Sequence, residues 1–227
     1  MQKYPWLDWA IVASAALAIL GATVGGDGIW VHYLFKPLTT ILIFLRLQGS
    51  APPVNLTAWR ATGSAILMSL LGDIFLMLPK SLLAMGFELG LASFLVAHLL
   101  FLVAFTRDAT LFGRPLPLVA LLVASAGNLF ALWPTIPGPL HLPVLVYMLC
   151  LVGMCAQAAS RAQQLGTPNS RMTAFGALAF LLSDTLIAYD KFYAAIPAAP
   201  LLILGTYYLA LYLIVRANSA APSKVSS

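Results

Sequence analysis

LLGDIFLMLP, residues 70–79, sets an aspartate inside an apolar run that spans residues 59–78. Such a run is long enough to cross a bilayer, which takes about 20 residues of helix. An ionised carboxylate there is costly, about 2.5–3.5 kcal/mol at the bilayer centre on insertion scales. The flanking composition is no more polar: 61% of the 227 residues are hydrophobic and 8% are charged, with a mean hydropathy of +0.94. Soluble domains carry about 25% charge, so a water-soluble globular fold is excluded and Asp73 belongs to an integral membrane protein.

Further apolar runs at 6–24, 29–46, 83–105, 115–133, 140–160, 172–190 and 198–217 bring the expected crossings to eight. Turn chemistry separates them at Gly25-Gly26-Asp27-Gly28, Gly49 to Pro53, Pro79-Lys80, Gly113-Arg114-Pro115, Pro134 to Pro139 and Gly166 to Asn169. The expected fold class is an all-α, eight-transmembrane-helix bundle. It forms one polytopic domain over residues 1–217, with a disordered, small and polar tail at 218–227. Nine of the twelve Lys and Arg residues fall at one end: Lys3, Arg46, Arg60, Arg107, Arg114, Arg161, Arg171, Arg216 and Lys224. Lys80 and Lys191 fall at the other end, and Lys36 lies within a crossing. The positive-inside rule puts both termini in the cytoplasm, an orientation that needs an even number of crossings.

The net charge of +5 is spread thinly along the chain, which argues for topology and against a nucleic-acid partner. The first apolar stretch continues into the polytopic pattern and is read as a membrane span rather than a cleaved signal. The sequon Asn55-Leu56-Thr57 falls in an expected cytoplasmic loop and is discounted. Cys150 and Cys155, at i and i+5 on one helix, point to different sides of it and are read as two buried thiols.

Several polar groups sit where lipid would surround a lone helix: Lys36, Asp73, Glu88, His98, Asn128, Asp184, Tyr207 and Tyr208. At 1.5 Å rise per residue, Lys36, Asp73 and Asp184 all fall roughly 8–10 Å below the non-cytoplasmic surface. Asn128 lies at a similar level, Glu88 is shallower and His98 is deeper. A cation and two carboxylates delivered to one layer by three distant crossings suggest one site. Two ionised aspartates with one lysine would leave a net negative charge in a low-dielectric pocket. One carboxyl is therefore expected to keep its proton while the other stays ionised, the pairing that acid–base hydrolysis requires. The alternative is a structural clamp between helices. Glu88 is read as snorkelling to the interface, and Asp190-Lys191 as an interfacial anchor. His98 either hydrogen-bonds a neighbouring helix or joins the site. Tyr207 and Tyr208 are read as packing residues from which a hydroxyl can reach it. Ser69 to Asp73 (SLLGD) echoes Phe180 to Asp184 (FLLSD), as two parallel four-helix halves would.

Lys36-Pro37-Leu38, LLGDIFLMLP, FELGLASFLVAHLLF (87–101), LLSDTLIAYDKF (181–192) and LGTYYLALYLI (204–214) resemble, in that order, the YhhN family of membrane proteins. The resemblance runs from about Lys36 to Ile214. It implies an eight-helix membrane hydrolase that cleaves the vinyl ether of lysoplasmalogens to a fatty aldehyde and a glycerophospho-base, as the animal lysoplasmalogenases of the family do. Carried over by position, its polar residues are Lys36, Asp73, His98 and Asp184. Phe101 stands where the family often has Tyr, Asp190 stands where it often has Asn, and Glu88 lies outside the pattern. On this reading Asp73 and Asp184 are the catalytic carboxyls, one as acid and one as base. Lys36, His98, Asn128, Tyr207 and Tyr208 are the substrate-binding set, and neither a cofactor nor a metal is expected. The partner is a lysophospholipid within a membrane, taken to be a bacterial inner membrane. Two other classes fit an intramembrane acid pair: an ion-coupled transporter, and a metal-dependent lipid hydrolase with His98, Asp73 and Asp184 as ligands.

Overall fold

A computed structural model describes residues 4–50 and 55–219. The expected basic residues Lys3 and Lys224, the prolines at 52 and 53, and the tail from 220 onward lie outside the described residues. Among the described residues there is no strand, and eight helices are long and apolar enough to cross a membrane. They are α1 (Trp6–Val24), α2 (Ile29–Gln48), α3 (Leu56–Met77), α4 (Gly86–Phe105), α5 (Leu116–Leu132), α6 (His141–Leu165), α7 (Pro168–Phe192) and α8 (Ala199–Ser219). Short 3-10 turns occupy 26–28, 133–135 and 138–140.

Local chemistry sets the boundaries. Asn55 caps α3, its Oδ1 accepting from the Ala58 amide at 3.0 Å, so the helix starts ahead of the apolar run. Gly166 closes α6 in the left-handed region at φ +65°. Thr167 then caps α7, accepting from the Ser170 amide, with Pro168 in its first turn. These features carry α6 and α7 several residues past their apolar stretches. At the opposite end Pro79 starts a turn that delays α4 to Gly86, where Leu82 and Leu83 amides bond the Pro79 carbonyl.

The bundle has an apolar core in which a few polar and charged side chains are buried, and its outer surface is apolar as well. Trp9 and Phe130 are 77% and 83% exposed, whereas Asp73 and His98 are 1% and 0% exposed. Helices α1 and α2, α3 and α4, and α7 and α8 pack as close antiparallel pairs. Helix α8 also rests on α1 and α2, α6 bridges α4, α5 and α7, and α5 stands at the edge against α6. The α7–α8 approach depends on Gly176: a Cβ there would lie 2.9 Å from the Ala210 carbonyl oxygen. Small residues at crossings are how membrane helices gain van der Waals contact when no hydrophobic drive separates them from lipid.

Candidate active site

Asp73 lies four residues before the end of α3 and Asp184 eight before the end of α7. At 1.5 Å per residue these are depths of about 6 and 12 Å below the loop end opposite the termini. Lys36, seven residues into α2, lies at about 10 Å on the same rule.

The structure divides these residues into two groups. Lys36 goes with Asp73: its Nζ stands 3.7 Å from Asp73 Oδ1, and both side chains are buried. Asp73 Oδ2 accepts hydrogen bonds from Thr40 Oγ1 at 2.8 Å and Tyr207 Oη at 2.7 Å. Lys36 and Thr40, one turn apart, share a face of α2, while Tyr207 reaches in from α8. Tyr208 packs beside it with ring centroids 5.3 Å apart, and its buried hydroxyl has no hydrogen-bond partner among the described residues.

Asp184 holds different company. Its Oδ2 accepts from Tyr147 Oη of α6 at 2.6 Å. His98 Nε2 of α4 is 3.5 Å away, within ion-pair reach but not aligned as a hydrogen bond, and His98 Nδ1 has no partner among the described residues. His98 starts a full turn deeper than Asp184, yet the two meet for a geometric reason. Side chains lean toward the N-terminus of their helix, so on antiparallel helices His98 leans up and Asp184 leans down. The same lean brings Tyr207 of α8 to Asp73 of α3.

Edge-to-face aromatic rings join the two groups. Phe180 lies 4.9 Å from His98 and 5.5 Å from Tyr207, and Phe94 lies 5.8 Å from Tyr207 and 6.1 Å from Phe180. Phe94 is pressed against Gly72, where a Cβ would sit 2.5 Å from the ring. The bulk of the ring thus claims the space beside Asp73.

Open volume lies beside Asp184. An inner cavity of about 60 Å³ is bounded by Leu76, Phe94, Val144, Tyr147, Asp184 and Phe192 among others. A second cavity, of about 150 Å³, runs toward the peripheral α5 past Asn128, Leu129, Tyr147, Asp184 and Ala188. Val144, Tyr147, Asp184 and Ala188 line both, whereas Lys36 and Asp73 line neither. Asn128 is exposed at the second cavity, its Oδ1 accepting from Tyr189 Oη at 3.0 Å. Glu88 and Lys191 lie farther out, beside a separate opening. Among the described residues no three His, Cys, Asp or Glu side chains gather closely enough to hold a metal ion. Both cysteines are free thiols.

Two contributors were not foreseen in the sequence. Thr40 was recoverable, because it follows Lys36 by four residues on one helical face. Tyr147 carries no charge and sits in an apolar run; its depth, six residues into α6 or about 9 Å, is within about one turn of Asp184.

The partner pattern is reciprocal. Each aspartate takes one set of partners from the helix preceding its own, α2 for Asp73 and α6 for Asp184. Each takes another from the helix that follows the other aspartate, α8 for Asp73 and α4 for Asp184. That exchange is what two parallel four-helix halves packed together would produce.

Comparison with known proteins identifies the family of the chain. Residues 31–218 match the model of the YhhN family. The chain is 33% identical over 195 residues to the lysoplasmalogenase TMEM86B of Sus scrofa, covering 85% of this chain and 77% of that protein. It is 34% identical over 208 residues to the lysoplasmalogenase of Mycobacterium tuberculosis (strain CDC 1551 / Oshkosh), with the same coverage. It is 33% identical over 205 residues to the lysoplasmalogenase TMEM86A of Bos taurus, covering 86% of this chain and 80% of that protein. No solved structure matches. With a match over most of its length and relatives of this closeness, the chain belongs to the YhhN family.

Proposed function

We propose that this protein is a multi-pass membrane hydrolase that cleaves the vinyl ether of lysoplasmalogens, releasing a fatty aldehyde and glycerophosphoethanolamine or glycerophosphocholine. The relatives named lysoplasmalogenase support the reaction class. The observation that carries the chemistry is Asp184, a carboxyl in the wall shared by two apolar cavities. The basic termini-bearing end faces the cytoplasm of a bacterial-type inner membrane, so the cavities open toward the outer leaflet. A lysolipid lying there holds its sn-1 linkage a short way beneath its headgroup, near the depth of Asp184.

Vinyl ethers hydrolyse by protonation at carbon. In this reading Asp184 enters the cycle in its acid form and gives its proton to the β-carbon of the C=C–O unit. The alkene π pair forms the new C–H bond, leaving an oxocarbenium ion and an Asp184 carboxylate. That carboxylate takes a proton from water as the water oxygen bonds to the cationic carbon, giving a hemiacetal. Collapse transfers the hydroxyl proton to the departing glycerol oxygen and releases the aldehyde. Tyr147, donating to Asp184, orients the carboxyl between the cavities.

Asp73 Oδ2 is hydrogen-bonded by Thr40 and Tyr207, and Lys36 Nζ stands 3.7 Å from Oδ1. That suits a fixed negative charge, which favours the developing cation electrostatically, better than a group that must exchange protons. The Phe94, Phe180 and Tyr207 rings supply polarisable faces between that charge and the cavity. Lys36 stands as the counter-ion of Asp73, Asn128 lines the second cavity beside Asp184, and His98 backs Asp184 from within the bundle.

The test is product analysis by mass spectrometry after incubating purified protein in detergent with plasmenyl and acyl lysolipids. Aldehyde from plasmenyl substrates only, without a proton gradient, is expected. Release of fatty acid from acyl lysolipids, or no turnover of either class, overturns the reading.

A further inference from the structure

Lys80, Glu88 and Lys191 look like unrelated interfacial charges in the sequence, yet they line one cavity of about 250 Å³ at the loop end opposite the termini. They come from three places: the turn after α3, the first turn of α4 and the last turn of α7. Anchors that merely hold a bundle at the membrane surface would splay outward toward lipid headgroups. Here they converge, and Thr135 and Pro137 of the α5–α6 connection complete the wall.

None of the three forms a salt bridge among the described residues. Asp190, the nearest acid in sequence to Lys191, is occupied, its Oδ1 accepting from the Ile196 amide at 2.8 Å. Lys191 Nζ instead lies over the Phe87 ring, 4.9 Å from its centroid. Phe87 packs edge-on to Phe192 at 5.8 Å, and both rings line the inner cavity that reaches Asp184. The polar opening and the reacting carboxyl are therefore joined by two shared aromatic walls.

We propose that this opening is the headgroup subsite for a zwitterionic phosphodiester: Lys80 and Lys191 take the phosphate, and Glu88 takes the terminal amine. The assignment rests on the hydrolase reading above and deepens it. Two cations and one anion around a cavity complement a group with one negative and one positive charge. They also discriminate against lysolipids that lack the amine, because Glu88 then has no ammonium to pair with in a cavity that holds a phosphate. The aromatic walls suit the glycerol and the first carbons of the chain, and place the sn-1 ether beyond Phe87 toward Asp184.

Steady-state aldehyde release is compared for wild type, K80Q/K191Q, K80R/K191R and E88Q on lysoplasmenylethanolamine and on 1-alkenylglycerol 3-phosphate. KM for the ethanolamine lipid should rise about tenfold or more in K80Q/K191Q with kcat nearly constant, and K80R/K191R should retain most of the affinity. E88Q should raise KM for the ethanolamine lipid and lower it for the phosphate lipid. In parallel, glycerophosphoethanolamine should raise the thermal midpoint of wild type but not of K80Q/K191Q, with inorganic phosphate as the probe for simple anion binding. An unchanged KM in K80Q/K191Q, or equal KM shifts for both lipids in E88Q, overturns the headgroup assignment while wild-type turnover keeps the hydrolase reading intact. If wild type releases no aldehyde but still binds glycerophosphoethanolamine through the lysines, the subsite stands and the hydrolase reading falls. Stabilisation by inorganic phosphate equal to that by glycerophosphoethanolamine also overturns the zwitterion assignment.

Discussion

Replacing Asp73 with asparagine should destabilise the bundle, and replacing Lys36 with methionine in the same chain should restore most of the loss. Asparagine nearly matches aspartate in shape, and its amide oxygen can still accept from Thr40 and Tyr207, so the change isolates the charge. What remains is an ammonium that is 8% exposed, about 10 Å below the helix ends, with no counter-ion. Removing one partner of a buried pair costs about 3–5 kcal/mol. The 3.7 Å separation puts this pair at the weaker end, near 3 kcal/mol on that scale. For chains of this size each kcal/mol moves the unfolding midpoint by about 2–4 °C, which gives a fall of about 6–12 °C. The double variant, with both charges gone, should return to within a few degrees of wild type, because replacing a buried pair whole is often close to neutral. Tryptophan-fluorescence melting in detergent across the four proteins of the cycle measures the coupling directly. D73N melting with wild type, or the double variant melting no higher than D73N, would show that Lys36 and Asp73 do not depend on each other.

D184N should lose about 100- to 10,000-fold in aldehyde release, the range for a general acid–base group, while its midpoint stays close to wild type because Tyr147 can still donate to the amide oxygen; product mass spectrometry and melting are read on one preparation. Y147F removes the 2.6 Å donor to Asp184, and with a charged-type hydrogen bond worth about 1.5–3 kcal/mol, kcat should drop about 10- to 150-fold with little change in KM; an unaltered kcat would remove Tyr147 from the mechanism. G176V must part α7 from α8, since a Cβ already meets the Ala210 carbonyl oxygen at 2.9 Å; overpacking of about 1–3 kcal/mol predicts a melting point visibly below wild type, and an unaffected one would refute the tight crossing.

The eight crossings were legible because a membrane span is a statement about composition along one axis. Residues 6–24 are both the apolar run and the observed α1. Agreement weakens where polar residues extend a helix: α6 runs to Leu165 and α7 starts at Pro168, because Gly166, Thr167 and Pro168 form a stop, a cap and a first-turn proline that hydropathy does not register. Depth was legible too, since a charge within an apolar run announces its own level. Rotation of each helix about its axis was not. Depth set Lys36 beside both aspartates, and only the packing assigns it to Asp73 and gives Asp184 to Tyr147 and His98. Long side chains blur depth further, because the lean toward the helix N-terminus brings His98 up and Asp184 down to a common level.

The reciprocal exchange of partners bears on how one fold comes to hold two different carboxyls. Asp73 and Asp184 are each met by the preceding helix and by the helix that follows the other aspartate's own. At the station facing Asp73 the preceding helix offers Lys36 and Thr40; at the one facing Asp184 it offers Tyr147. A lysine fixes a charge, whereas a phenol orients a carboxyl without neutralising it. Phe94 against Gly72 closes the first station, while the second stays open to two cavities. Placing two like groups in unlike surroundings is the general way to obtain one acid that reacts and one that only stabilises. On the proposed mechanism, that division follows from what stands opposite each carboxyl.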